Sequence, residues 1–328
     1  MDATVLRRRA GAAAGTYASI VLGFLGTIIA ARVFSTEVLG LFTLVIASAG
    51  FFQTLLDLTI EEALIKFGFR YITREDWGRL RRIFRRTFVF KAVGAGLAGA
   101  ALVGLGAGAG TVFHHSELRT PLMISALLPL AQSPEGMAAV PFMLRGRYDV
   151  RGGFLMLSMA LRLTAIAVGT QFGLTWTIVA IVLAQVAASA AIGAAGLAAF
   201  RRFPTAPVRP LDEDVREILR FIAQSSVATG VVSLRTTLTP MLLGIASTAR
   251  QVGFFRVAQS PQTGFNAARE KQDPGIPPTD RHVELSYVDF ARFTWVEPAG
   301  SPRPTGMPEA STISLAPHES PSLRNSSM

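Results

Sequence analysis

The sequence predicts an all-α, polytopic membrane helix bundle of about seven transmembrane helices, with its N-terminus in the cytoplasm. Three observations predict it. The 328 residues are 50% hydrophobic and only 16% charged, where a soluble domain averages about 25% charged residues. The apolar residues are gathered into separate runs of span length, about 20 residues each. The basic residues fall in alternate loops between those runs, the pattern set by the difficulty of translocating Lys and Arg. A net charge of +10 distributed this way is a membrane signature and points away from nucleic acid as a partner.

The elements follow in order. The first fifteen residues carry Arg7, Arg8 and Arg9 and resemble a signal-peptide n-region. The run after them, about Ala14–Phe34, exceeds a signal h-region and leads directly into another span, so it reads as a retained first helix. A near-neutral external turn, Ser35–Gly40, leads to a second span over about Gly40–Ile60. The connector Lys66–Lys91 holds nine Lys/Arg against Glu75 and Asp76, which keeps it cytoplasmic and orients every other span. Within it Trp77, Leu80, Phe84 and Phe88 recur at helical spacing. They predict a helix lying on the membrane surface and running into the next span, with anionic lipid as its partner, or a plain topology determinant.

A third span, about Thr87–Gly110, is rich in glycine and alanine. Gly96, Ala100, Gly104 and Gly108 fall four apart and predict a small-residue packing face. A fourth span, about Arg119–Met143, contains Pro134 and is expected to kink there. The loop Arg145–Arg151 is basic and cytoplasmic. A fifth span over about Phe154–Phe172 turns tightly near Gly173 into a sixth, about Thr175–Phe200. The loop from Arg201 to Asp214 is cytoplasmic again, and a seventh span covers about Leu219–Ala246. Arg119 is the main exception to the charge asymmetry.

This yields three segments: residues 1–210 as a first six-helix lobe, 211–266 as the start of a second, and 267–328 as a tail. The tail holds nine of the eighteen prolines and has no spanning run, so disorder is expected there. It follows an outward-ending span, an odd place for such a tail, and a reading-frame shift near codon 267 is one account of it.

Several chemistries are excluded or disfavoured. Without cysteine there is no disulfide, thiolate metal site or Cys nucleophile. Four scattered histidines offer no metal spacing, and His114–His115 sits in a short loop. Nothing resembles a phosphate-binding P-loop, so neither ATP nor another cofactor is implied.

An internal repeat links the two lobes. ARVFSTEVLGLFTLVIA, from Ala31 to Ala47, and IASTARQVGFFRVAQ, from Ile245 to Gln259, both set a small-polar turn before a helix that restarts at a glycine, Gly40 or Gly253. Repeats of this length in membrane chains mark transporters built from two related bundles.

Ala31–Phe42 also resembles the opening of the polysaccharide and O-antigen flippases, within the multidrug/oligosaccharidyl-lipid/polysaccharide exporter superfamily. Asp57–Phe67 is similar to that family's second-helix end, and Pro141–Leu163 to its fourth-to-fifth helix junction. The resemblance covers about Tyr17–Val257. It implies two six-helix lobes around a central cavity, a lipid-linked diphosphate oligosaccharide as cargo, alternating access, no enzymatic activity and a multi-pass place in the bacterial inner membrane. This chain carries the first lobe and only the opening of the second. A non-transporting truncated protein or scaffold is therefore an alternative, as are a multidrug exporter of the same superfamily, a membrane-bound sugar transferase and a homo-oligomer of half-molecules.

Charges within apolar spans are costly and mark candidate sites. Arg162 lies well inside the fifth span and Arg235 in the middle of the seventh. For an anionic headgroup they are candidate cavity cations, with Arg145 and Arg147 at the cytoplasmic entrance. Glu135, Asp57 and Glu62 are candidates for ion coupling or for ion pairs, and Gln185 is a polar group in the sixth span. The structural alternatives are an Arg162–Glu135 pair that fixes packing, and pairing of Asp57, Glu61 or Glu62 with Lys66.

Overall fold

The structure is a computed structural model that describes residues 3–56, 60–211 and 214–269. The chain divides into two units, Met1–Val283 and Glu284–Met328, and every described residue lies in the first. Asp57 and the tail from residue 270 onward lie outside the described residues. All regular structure described is helical: α1 (Ala3–Val33), α2 (Thr36–Leu56), α3 (Ile60–Thr73), α4 (Trp77–Ala107), α5 (Ala109–Val112), α6 (Arg119–Ser125), α7 (Leu127–Leu144), α8 (Tyr148–Gly169), α9 (Leu174–Arg201), α10 (Asp214–Ala246) and α11 (Ala249–Arg269). Five described helices are long and apolar enough to cross a membrane: Ala10–Val33, Thr36–Leu55, Trp77–Ala107, Tyr148–Phe172 and Leu174–Arg201. The chain is an all-α membrane helix bundle.

Helix ends follow local chemistry. Ser35 caps α2, its Oγ accepting from the Val38 N–H at 3.3 Å. Gln251 reaches back to cap α11, accepting from the Thr248 N–H at 3.1 Å, the reciprocal half of a capping box. Asp76 accepts from the Arg79 N–H at 3.1 Å and starts α4. Gly173, at φ +95°, makes the reversal between α8 and α9 that a side chain would strain.

The connectors after α3, α7 and α9 gather at one end of the bundle. Trp77 stacks on Phe203 at 5.8 Å, the Arg145 guanidinium lies 5.3 Å over the same ring, and Arg81 donates to the Pro204 carbonyl at 3.2 Å. At the opposite end an apolar core forms where α1 and α2 meet α4, α6, α9 and α11. Phe34, Leu44, Phe113, Leu122, Ile178 and Val252 are buried there.

Three expectations are corrected. The helix expected at Trp77–Phe88 does run into the next span, as the first part of α4, a continuous helix of 31 residues, about 46 Å long at 1.5 Å per residue; what is corrected is the surface-lying face. Its aromatic face is used inside the protein: Leu80 is buried, and Phe84 packs on Phe200 at 4.6 Å. Only from Phe88 onward are large apolar side chains exposed, at Val89, Phe90, Val93 and Leu97.

The packing face of α4 is not Gly96, Ala100 and Gly104, which are exposed; nothing lies near the positions of a Cβ at Gly96 or Gly104. It is the neighbouring face of Ala95, Ala98, Gly99, Leu102 and Gly106. There a Cβ on Gly99 would sit 2.9 Å from the Ala126 carbonyl oxygen. The large residues Leu80, Ile83 and Leu102 set the register, and both faces of this helix carry small residues.

The fourth expected span is two helices, α6 and α7, broken at Ala126, while α7 runs through Pro134 and Pro141. Pro129 accounts for the break. It has no N–H to offer the Ser125 carbonyl four residues back, and its ring crowds that oxygen.

The repeated segments pack against one another. A Cβ on Gly40 would lie 1.7 Å from the Ala249 carbonyl oxygen, and one on Gly253 would lie 2.1 Å from the Thr36 carbonyl oxygen. Each glycine thus meets the backbone four residues before the other. The contact between α2 and α11 is reciprocal, as at a local two-fold axis, and only residues without a side chain allow it.

Gly40→Ala and Gly253→Ala are each expected to destabilise the protein by about 1–3 kcal/mol, the range for overpacking. Gly96→Ala and Gly104→Ala, on the exposed face, are expected to be neutral or stabilising by up to about 1 kcal/mol. Thermal unfolding in detergent, compared across the four variants, checks both the crossing and the corrected face of α4.

Candidate functional site

The α2–α11 crossing opens into a cavity of ≈ 310 Å³, at the small end of the range for ligand clefts. One wall is α2, through Phe42, Thr43, Ile46 and Gln53. The others are Gln132 on α7, Arg162 on α8, Pro240 on α10 and Arg256 on α11. Two guanidinium groups therefore line one space between helices. The capping box at Thr248 fixes where α11 starts, and the glycine crossing presses it onto α2. Together they carry Arg256 to the cavity one helical face beyond Gly253.

Arg256 Nη2 donates to Thr27 Oγ1 on α1 at 3.5 Å. Among the described residues, Arg256 and Glu135 are charged groups close enough to act on Arg162, one repelling and one attracting it. An amide ladder joins Glu135 to the cavity wall. Gln132 Nε2 donates to Gln185 Oε1 at 3.1 Å. Gln185 Nε2 donates to Glu135 Oε2 at 2.6 Å and to Ser189 Oγ at 3.1 Å. Gln185 is buried, so this ladder satisfies polar groups that the apolar surroundings would otherwise penalise.

The residues singled out in the sequence have different fates. Arg162 lines the cavity. The pairing alternative does not hold: among the described residues no Arg162–Glu135 salt bridge forms, because Gln185 takes the carboxylate. Arg235 lies in the middle of α10, and its side chain is outside the described residues. Arg145 and Arg147 are exposed at the turn between α7 and α8; Arg145 stacks on Phe203 and Arg147 pairs with Asp149 at 3.3 Å. Glu62 accepts from Ser225 Oγ at 2.5 Å. Glu61 pairs with Lys91 of α4, not with Lys66, and its carboxylate fills the place a Cβ would take at Gly136. Lys66 instead lies 4.3 Å over the Phe221 ring.

The family model described as polysaccharide biosynthesis protein matches residues 10–265. The chain belongs to that family. Comparison with curated proteins and with solved structures gives no match. The matched range contains every residue that lines the cavity, from Phe42 to Arg256. The bundle is multi-pass, and the family fits a membrane flippase or exporter of polysaccharide precursors.

Sequence reasoning missed two groups of residues. Arg256 is one. It stands three residues after Gly253, as Thr43 stands three after Gly40, so the repeat register alone places it opposite a cavity-lining position. The other group is a charged seam at the end that carries the basic connectors. Arg70 on α3 grips Glu217 on α10 with both terminal nitrogens, each at 2.7 Å. Tyr71 Oη donates to Asp214 Oδ2 at 3.0 Å, and Arg79 Nη1 reaches the same oxygen at 3.5 Å. Phe67 meets Phe221 edge-on at 6.3 Å.

Hydrogen bonds from Arg70 hold the Glu217 carboxyl below its ordinary value of 4.5, with Lys66 and Arg74 adding to the effect. Burial and the Asp214 carboxylate push the Tyr71 phenol up, so it stays a neutral donor. Burial pulls Lys66 below the usual lysine range. The Arg70 and Glu217 side chains remain 29% and 49% exposed. An ion pair this accessible contributes about 0–1 kcal/mol.

Lys91 is buried and Glu61 is partly so. Lys91→Met is expected to cost about 3–5 kcal/mol by stranding the Glu61 carboxylate. The double change with Glu61→Leu is expected to recover most of it, as read from a double-mutant cycle of unfolding midpoints. A depressed carboxyl stabilises the fold above its unfolded value and loses that effect as pH falls through its folded value. The difference in unfolding midpoint between the parent and Glu217→Gln is therefore expected to be constant from pH 8 to pH 5. It should shrink only in more acid solution.

Proposed function

We propose that this protein is a carrier of the bacterial inner membrane that moves a lipid-linked diphosphate oligosaccharide across the bilayer by alternating access. The observation that carries the reading is the pair of guanidinium groups, Arg162 and Arg256, lining one cavity among membrane helices. Family membership supports the precursor class.

The chemistry asked of the site is modest. Flipping makes and breaks no covalent bond, so it needs no nucleophile and no general acid. It must replace the water around an anionic headgroup while the lipid tail remains in the bilayer. Guanidinium is suited to this. It stays charged at membrane depth, is weakly hydrated, and pairs with phosphate through two parallel hydrogen bonds. Arg162 and Arg256 are assigned to the diphosphate, with Arg235 as a third cation and Arg145 and Arg147 at the cytoplasmic entrance. Thr43, Gln53 and Gln132 supply hydrogen bonds for sugar hydroxyls. Glu135, Asp57 and Glu62 are the carboxylates available to carry a coupling ion. Alternating access needs a second bundle rocking against this one, which a second copy of the chain would supply.

Arg162→Ala and Arg256→Ala are each expected to lower export of the lipid-linked oligosaccharide by about 10–100-fold. That range follows from about 1.5–3 kcal/mol for a charged hydrogen-bonding contact. Arg162→Lys keeps the charge without the fork and is expected to fall between. Export measured in cells whose membranes hold normal amounts of each variant tests this, and an unchanged rate in Arg162→Ala overturns the site.

A further inference from the structure

Arg70, Tyr71 and Arg79 form a convergent donor cluster at the cytoplasmic ends of α3 and α4, and none of them lines the cavity. The cluster's acceptors come mainly from the first turn of α10; Arg79 also pairs with Asp76, the cap of its own helix, at 3.6 Å. Arg70 holds Glu217 by both terminal nitrogens at 2.7 Å. Tyr71 and Arg79 converge on Asp214 Oδ2 at 3.0 and 3.5 Å. Two parallel bonds from one guanidinium to two oxygens is also the geometry by which Arg binds phosphate. The opposite end of the bundle is closed differently, by a core of buried apolar side chains.

We propose that this cluster is a second anion site, specific for a phosphoanion, which Asp214 and Glu217 occupy in the closed state. The proposal rests on the transport reading for its biological use, since it makes the seam between α3 and α10 the place where an anionic headgroup enters. A phosphoanion that takes Arg70 and Arg79 displaces the two carboxylates. It thereby removes the polar contacts that hold the start of α10 against α3. The exchange is one of like for like: hydrogen bonds from the same donors pass from carboxylate to phosphate, and no proton need move. Because the Glu217 carboxyl is held below its ordinary value, acid at physiological strength does not open the seam. A competing anion does.

The chain has no cysteine, so Glu62→Cys with Ser225→Cys places the only two thiols across the seam, where the native side chains are in contact. The full chain in detergent is oxidised with copper–phenanthroline, and the rate of disulfide formation is followed. Inorganic diphosphate at millimolar concentration is expected to slow cross-linking at least fivefold relative to chloride at equal ionic strength. Polyprenyl diphosphate in mixed micelles is expected to act at micromolar concentration. If only the polyprenyl form acts, the ligand is a lipid headgroup; if both act at equal concentration, phosphate alone suffices. Adding Arg70→Ala is expected to abolish the response to either. Adding Glu217→Gln, which weakens the internal competitor, is expected to lower the half-effective concentration severalfold. A cross-linking rate indifferent to both anions, or a response that survives in Arg70→Ala, overturns the site.

The readout needs no transport. If anions open the seam in the cysteine pair and export is absent from the parent chain, which keeps Glu62, the transport reading fails while the site stands. If Arg70→Ala with Glu62 in place exports at the parent rate, the seam is not the entrance and the transport reading stands.

Discussion

The crossing of α2 over α11 at Gly40 and Gly253 is the constraint on which the rest of the bundle depends. Between helices in lipid there is little hydrophobic drive, so close approach and the satisfaction of polar groups decide what packs. Here backbone meets backbone, each glycine against the carbonyl four residues before the other. Thr43 and Arg256, three residues past the two glycines, line one cavity together with Arg162 of α8. A larger residue at either glycine separates the helices, and the two arginines no longer share a space.

Around this crossing the two ends of the bundle are closed by different physics. At one end Phe34, Leu44, Phe113 and Ile178 interlock in an apolar core, which has no partner to exchange with. At the other, α3 and α10 meet through guanidinium, carboxylate, phenol and hydroxyl groups, several of them open to water. Charge pairs at such a surface are easily replaced by other ions, because water and salt already compete for them. Between the two ends, buried polar groups are satisfied inside the protein: Lys91 by Glu61, and Gln185 by Gln132, Glu135 and Ser189.

Much of the fold was legible because lipid imposes strong rules on sequence. Apolar runs of fixed length and alternating basic loops marked α1, α2, α8 and α9 closely, together with the turn at Gly173. The rule that charge at membrane depth is rare also picked out Arg162. What stayed illegible has particular causes. The buried face of α4 was misassigned because glycine and alanine occur on both faces, and only Leu80, Ile83 and Leu102 carry the register. The break in the fourth span depends on an interaction four residues back from Pro129, while Pro134, beside a charge, is the more conspicuous proline in the sequence. Arg256 lies on a helix too polar to announce itself, and only the short repeat pointed to its place. Arg70 and Glu217 stand 147 positions apart, and no local pattern links residues that pair only when two helices meet.

The reciprocal contact between α2 and α11 is symmetric in its backbone, yet its side chains are not. Three residues past Gly40 stands Thr43 and three past Gly253 stands Arg256, and both line the cavity, one a neutral hydroxyl and the other a full positive charge. With Arg162 also present, the cavity is polarised across its width instead of being charged evenly. An ion drawn into it comes to rest off the axis, nearer α8 and α11, since attraction falls with distance in a medium of low dielectric constant. The α2 wall is left to uncharged groups. A molecule with an anionic head and a neutral polar body therefore has one preferred way round in this space, set by the single difference between two otherwise matching turns.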